Sequence, residues 1–253
     1  MITSYLAFLD VLGFSALVGS ARSGEQIERY RKSVSDATED LAVKSVVFSD
    51  SIVLTTDDPA RESLLVLARA TSRLMCNLLH ADIPIRGALA HGEFSRSTVG
   101  EGVFVAGRAL IEAYQWEQKQ DWIGVMITPS ALRTVPNMKR LCPRPDNCNL
   151  DSINPWMEVI QHHPTIPFHS SVPYMTPTFD GFALVPTKGE SPNHIWYNIQ
   201  LSIERLESLR MTAPSPESQQ KYQRTQDWLR TLLSGWKHLA AASGNSRGSA
   251  STE

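Results

Sequence analysis

From Tyr5 to Phe14 the chain reads Tyr-Leu-Ala-Phe-Leu-Asp-Val-Leu-Gly-Phe, apolar throughout except for one carboxylate, Asp10, and one glycine, Gly13. A continuous apolar run of this kind predicts a central strand, here Ser4 to Val11, covered on both faces by the rest of a sheet protein. A second carboxylate, Asp50, sits in an equally apolar setting, Val46-Val-Phe-Ser-Asp-Ser-Ile-Val-Leu54. A carboxylate in an apolar strand is costly unless something cationic offsets it. Where two of them end neighbouring strands, a divalent ion held by hard oxygen ligands is the least expensive answer. Leu12-Gly13-Phe14-Ser15 follows Asp10 at once, a turn whose backbone amides can cradle phosphate at a helix start. Metal and phosphate cradle together point to nucleotide chemistry.

The rest of the chain supplies a sheet for that strand. Ile27, Tyr30, Val34 and Ala37 form one stripe of a helix predicted over 26–41. Val43 to Phe48 and Ile52 to Thr55 are β-branched runs, forming a hairpin with Asp50 at its tip. Leu64, Leu67, Ala68, Thr71, Met75 and Leu78 repeat at helical spacing over 61–80, so Met75 is core filler. A strand over 85–94, a helix over 106–118 and a strand over 122–127 complete a β, α, β-hairpin, α, β, α, β order. That order predicts an α+β fold, a mixed sheet with helices over one face, in which Asp10 and Asp50 meet at one end. The domain reading is 1–200 as one catalytic unit, interrupted by an irregular Pro-, Asn- and His-rich insertion at about 141–178. Strands follow at 179–185 and 194–198, then helices over 202–210 and 217–239 within a C-terminal segment, 201–240. A Ser/Gly-rich tail, 241–253, reads as disordered.

Composition narrows the function classes. A net charge of −2 leaves no electrostatic footprint for nonspecific nucleic-acid binding. No basic start and apolar signal core opens the chain, and no apolar run approaches the ~18 residues of a membrane span, so a cytoplasmic protein is expected. The three cysteines, Cys76, Cys142 and Cys148, are too few and too irregularly spaced for a disulfide framework or a four-ligand zinc site.

In a two-metal site, carboxylates bridge ions about 3.5–4 Å apart, one ion activating a hydroxyl and the other drawing charge from the phosphate. Asp10, Asp50 and the backbone carbonyl of Val11 can supply that minimum. Gly13 permits close phosphate approach, and Phe14 can anchor the following helix in the core. The pattern Phe8-Leu-Asp-Val-Leu-Gly-Phe14, the hairpin Ser49-Asp-Ser51 and the strand Arg86-Gly-Ala-Leu-Ala-His-Gly92 together resemble the catalytic domain of class III nucleotide cyclases. In the last of these, the first glycine directly follows the arginine. More narrowly, the chain looks like the bacterial pyrimidine cyclases of Pycsar antiphage systems. That likeness rests on Phe48-Ser-Asp-Ser51, Pro84-Ile-Arg-Gly-Ala-Leu-Ala-His-Gly-Glu93, Gly107-Arg-Ala-Leu-Ile-Glu-Ala-Tyr-Gln-Trp-Glu117 and Asp180-Gly-Phe-Ala-Leu-Val185, and spans roughly 4–200.

The resemblance implies a palm-type sheet in a homodimer with composite sites, two Mn2+ or Mg2+ ions per site, and a pyrimidine nucleoside triphosphate as substrate. UTP is favoured over CTP, giving 3′,5′-cyclic UMP and pyrophosphate, the product acting on an effector in antiphage defence. Asp10 and Asp50 are then the catalytic metal ligands, with Val11 as a further ligand. Phe8, Gly13, Phe14 and Phe48 are assigned to substrate. One departure stands out: the family's Asn-x-x-x-Arg pair falls on Ile111 and Gln115 here, neither of which supplies a cation. Arg108, one turn earlier, is the substitute, against the plain reading of a solvent-exposed helix arginine. The departure also supports a rival, a cyclase-like nucleotide-binding or dimerisation module without turnover; a cytidylate or purine cyclase is a third possibility. Arg86 is open between a phosphate contact and an interior ion pair, and Phe48 between a wall of the base pocket and ordinary packing. Lys44 reads as a solvated strand-end lysine sooner than a base or triphosphate contact, His91 as a core histidine, and His162-His163 as surface.

Overall fold

A computed structural model describes residues 1–169, 178–188 and 191–248, without the side chains of 244–248. Its strands are β1 (Ile2–Val11), β2 (Lys44–Phe48), β3 (Ser51–Thr55), β4 (Ile85–Val99), β5 (Gly102–Gly107), β6 (Val125–Ile127), β7 (Ile160–Pro167) and β8 (Thr178–Leu184). The helices are α1 (Phe14–Val18), α2 (Ser23–Thr38), α3 (Arg61–His80), α4 (Arg108–Lys119), α5 (Pro129–Arg133), α6 (Met138–Leu141), α7 (Pro155–Val159), α8 (Pro192–Thr212) and α9 (Pro216–Gly248). The strands form one mixed sheet in the order β2-β3-β1-β4-β6-β8-β7, with β5 folded back on the far half of β4. Among the described residues only β4 and β6 run parallel.

The apolar run lies near the centre of the sheet, as expected. Period-two alternation sends Tyr5, Ala7, Leu9 and Val11 into the large core beneath α2, α3, α8 and α9. Leu6 and Phe8 point the other way, where Ala90, Phe94, Ala109 and Ala113 form a smaller cluster under α4. The mixed sheet is therefore as expected, but its helices are not all on one face. α4 crosses the opposite face because Ala109 and Ala113, one turn apart, let its backbone lie close over β1 and β4. Directly paired residues share a face, so Asp10 and its β4 partner Arg86 both lie on the α4 side.

The insertion is more ordered than its composition suggests. β7 pairs antiparallel with β8 at the sheet edge, and Trp156, Met157, Val159 and Ile160 are buried. Pro and Asn act there as helix starters: Asn154 accepts from the Trp156 and Met157 amides at the head of α7. His163 is not surface. It is buried and stacked on Trp228 of α9 with centroids 4.9 Å apart. The strand expected at 194–198 is instead the first turns of α8, started by Ser191, whose side chain accepts from the His194 amide, and by Pro192. Residues 241–248 continue α9 where the composition suggested disorder, and 249–253 lie outside the described residues. Cys76 and Cys142 are buried free thiols, and burial pushes Cys76 up to about 12, so it is an inert core group. No helix among the described residues is long and apolar enough to cross a membrane.

Candidate active site

Two strand ends and a hairpin tip build the site. The hairpin places Phe48 opposite Ser51, leaving Ser49-Asp50 as its two-residue loop, with Ser49 in the left-handed region at φ 56°. The tip is fastened to the end of β1: the Val11 amide donates to the Asp50 carbonyl at 2.8 Å, and Asp10 pairs with Ser51. A second tie comes from α2, where the Tyr30 hydroxyl donates to the Ser49 carbonyl at 3.3 Å. The Phe14 ring meets Tyr30 edge-on at 6.0 Å, so the turn after β1, helix α2 and the hairpin tip form one packed corner. Gly13 makes that turn possible. Its φ of 76° is a conformation L side chains rarely adopt, and it starts α1.

Asp10 and Asp50 thus come to the same end of the sheet, each partly buried. Burial raises the Asp10 carboxyl to about 6; Glu117 pushes it further up, Arg86 pulls it down, and Asp50 adds a smaller push up. Burial, with Asp50 and Asp10 adding to it, likewise raises the Tyr30 hydroxyl. Asp10, Asp50 and Glu117 against the Arg86 guanidinium leave this corner short of positive charge, and with Glu117 bound to Arg86 the carboxylates of Asp10 and Asp50 are the donors that fit a divalent cation. No cluster of three or more His, Cys, Asp and Glu among the described residues has the arrangement of an all-protein cage. The donors in hand suit an ion that completes its shell with substrate phosphates and water.

The other predicted residues fall as follows. Val11 is buried beside Asp10, its amide committed to the hairpin. Phe8 is half-buried on the Asp10 face, edge-on to Tyr114 of α4 at 5.5 Å. Phe14 packs into the core corner, as its anchoring role required. Phe48 stands 80% exposed beside the hairpin tip, so ordinary packing within one chain does not account for it. Arg108 is exposed at the start of α4, whereas Glu117 near its end bonds Arg86, the partner of Asp10. At about 1.5 Å rise per residue, Arg108 is about 13 Å from Glu117 along the helix, so one chain does not bring Arg108 to Asp10. Ile111 and Tyr114 are exposed on the same helix.

Arg86, open on sequence grounds, resolves to an interior ion pair with Glu117. Lys44 pairs with Asp57 at the end of the hairpin away from Asp50. His91 is a half-buried neighbour of Tyr5, with centroids 4.7 Å apart. Sequence reading missed Glu117 and Tyr30 as members of the site's surroundings. For Glu117 the signal was available: Ala109, Ala113 and Glu117 are spaced four apart, which places a carboxylate on the buried stripe of α4.

Neither a protein-family model nor a curated protein matches the chain. Solved structures do align with it. The adenylyl cyclase CyaB from P. aeruginosa is 11% identical and aligns over 72% of this chain and 93% of its own, with a TM-score of 0.49. An adenylate cyclase from Trypanosoma brucei, solved in its monomeric state, is 10% identical over 73% of this chain and 88% of its own, at 0.47. The guanylyl cyclase domain of the RhoGC fusion protein from the aquatic fungus Blastocladiella emersonii is 13% identical over 54% and 85%, at 0.43. These are partial backbone overlays at low identity, and the chemistry of the present site rests on its own residues.

Proposed function

We propose that the protein is a nucleotide cyclase that closes a pyrimidine nucleoside triphosphate, UTP in the first instance, to its 3′,5′-cyclic monophosphate with release of pyrophosphate. The supporting observation is the corner itself: one carboxylate near the end of β1 and one on the β2–β3 hairpin tip, their backbones joined by the Val11–Asp50 hydrogen bond, in a corner where carboxylates outnumber cations. Asp10, Asp50 and the Val11 carbonyl would hold two Mn2+ or Mg2+ ions, which when bound lower the pKa of the ribose 3′-hydroxyl and neutralise the triphosphate. The protein's share is placement. The Gly13 turn leaves open backbone for the phosphates, and the Tyr30 tie to the Ser49 carbonyl holds the hairpin tip that carries Asp50. Phe8 and Phe48 offer apolar surface on either side of the carboxylates. In this reading Phe48 walls the base pocket, where size excludes a purine; uracil and cytosine differ only at a polar edge and need directed hydrogen bonds to be told apart.

A homodimer completes the site. Arg108 cannot serve the Asp10 of its own chain, and the exposed Ile111 and Tyr114 give α4 an apolar outer face toward a second copy. Arg108 of one subunit then supplies the transition-state cation to the other's site. The product serves as a cytoplasmic second messenger in antiphage defence, a role carried by the resemblance to Pycsar cyclases alone.

Purified protein incubated with each of ATP, GTP, CTP and UTP and Mn2+, with products identified by mass spectrometry, tests the proposal. Cyclic UMP is the expected product. A purine or cytidine cyclic product would overturn the base assignment. Nucleotide binding without any cyclic product would favour the non-catalytic module, the reading that the absent Asn-x-x-x-Arg pair supports.

A further inference from the structure

The buried ion pair behind Asp10 has a geometry that ordinary strand pairing does not require. Arg86 is the direct β4 partner of Asp10 and lies on the same face, so its guanidinium starts within reach of the Asp10 carboxylate. It is turned away. Nε and Nη2 both bond one oxygen of Glu117, at 2.6 and 2.5 Å, and Nη1 donates to the Gln120 carbonyl at 2.9 Å. The other Glu117 oxygen accepts from the Gln118 side chain at 2.7 Å. Gln120 is itself fixed: its amide donates to the Gly87 and Trp116 carbonyls at 2.9 and 3.1 Å, and its oxygen accepts from the Trp122 indole at 2.7 Å. Glu117 and Gln120 are fully buried and Arg86 nearly so. Among the described residues Arg86 is ion-paired with Glu117 and not with Asp10.

We propose that Glu117 is a positioning residue that sequesters Arg86, and so keeps the site's own cation from neutralising Asp10 in place of a divalent metal. The inference rests on the metal reading of Asp10 and extends it to a group that touches neither metal nor substrate. A buried guanidinium that loses its carboxylate partner must find another, because an unpaired buried charge is far more costly than a paired one. The nearest alternative is its cross-strand neighbour. An Arg86–Asp10 pair removes one of the two metal carboxylates and adds a positive charge where the ion must sit. Groups that act behind a metal ligand typically change metal affinity about 10–100-fold.

The test is titration with Mn2+ alone, read by the electron paramagnetic resonance signal of the free ion, on four proteins: wild type, Asp10→Ala, Glu117→Gln, and the double variant Arg86→Met/Glu117→Gln. Circular dichroism melts check that each is folded. Glu117→Gln should weaken Mn2+ binding about 10–100-fold. The double variant, which no longer has the competing guanidinium, should recover wild-type affinity within a few-fold. A purely structural role for the pair would give no such recovery, since the double variant removes more of the network. Wild-type affinity in Glu117→Gln, or no recovery in the double variant, overturns the inference while leaving the metal site standing. A wild type that binds Mn2+ no better than Asp10→Ala overturns the metal reading, and the inference with it. Should Glu117→Gln fail to fold, Glu117→Asp, which keeps the charge and shortens its reach, replaces it. Weakening and rescue by Arg86→Met are expected there too, and their absence overturns the inference.

Discussion

At Asp10 the fold accepts a local cost. A carboxylate raised to about 6 by burial and by Glu117 is ionised at neutral pH only against its surroundings. Because its pKa is higher in the folded than in the unfolded chain, the metal-free protein gains stability from this group as pH falls through 6. Asp10→Asn mimics the protonated state, so the metal-free variant should melt at or slightly above the wild-type temperature. Turnover should behave in the opposite way. Asp10→Asn and Asp50→Asn should each lower the proposed cyclase activity more than about 100-fold, beyond what a group merely supporting a metal ligand costs. Near-normal rates at saturating Mn2+ in either variant would end the two-metal reading. Stability gained where activity is lost marks a residue kept for chemistry.

Among the elements, α9 carries large aromatic side chains deep into the core. Trp228 stacks on His163 of β7 and meets Trp122 edge-on, with centroids 5.5 Å apart, while Trp236 is fully buried. Burial, with a smaller push from His162, holds the His163 imidazole down to about 3, and its Nε2 has no hydrogen-bond partner among the described residues. The unfolded chain takes up this proton below about 6.5 and the folded chain does not until about 3. Between those values the unfolded state binds more protons, so stability falls as pH falls, by up to about 1.4 kcal/mol per pH unit from this one group. Urea unfolding of wild type and His163→Phe at pH 7, 6, 5 and 4 measures it: the variant should lose less stability on acidification, and parallel curves would refute the assignment. The same helix crosses the single helical turn Pro145–Asn147 at Gly235, where an added Cβ would stand 2.5 Å from the Asp146 amide nitrogen and 2.8 Å from Pro145. Helix propensity alone favours Gly235→Ala by about 1 kcal/mol. The close approach to backbone should reverse the sign, and a raised melting temperature in Gly235→Ala would show that the turn yields.

For the whole molecule, the consequential fact is that α4 holds Arg108 and Glu117 at opposite ends. Glu117 near its end is bound to the Asp10 strand pair, and Arg108 at its start faces solvent. If the active unit is a dimer that shares α4 between sites, defects in Asp10 and Arg108 lie on different chains of one composite site. Mixing Asp10→Ala with Arg108→Ala protein should then restore activity, up to one intact site per heterodimer. Size-exclusion chromatography and melting curves establish that both variants are folded and dimeric. Failure to complement under those conditions would remove Arg108 from the site or confine the site to one subunit. The exposed side chains of Ile111, Tyr114, Val103 and Phe104 place the expected contact on α4 and on the β4–β5 arm.

Local pattern was enough wherever one periodicity ruled. The apolar run around Asp10 announced a central strand, the β-branched runs around Asp50 announced a hairpin, and the Leu64-to-Leu78 stripe announced α3 over the residues it occupies. Burial of one face demands that spacing, so the residues themselves record it. That Asp10 and Asp50 come to one end of the sheet was expected from the hairpin and the order of elements, and β3, which leaves the hairpin tip, pairs with β1 at Asp10–Ser51. Sequence by itself did not decide contacts between segments far apart. His163 reads as polar surface until Trp228, 65 residues later, stacks on it, and β7 lacks periodicity because β8 and α9 supply its order. Residues 194–198 alternate like a strand, yet Ser191 and Pro192 start a helix whose Ile195 and Ile199, one turn apart, both reach the core. Arg86 could equally have met phosphate. Its fate was settled only when α4 crossed the second face of the sheet and set Glu117 against it, because a buried charge goes to whichever partner the packing brings nearest.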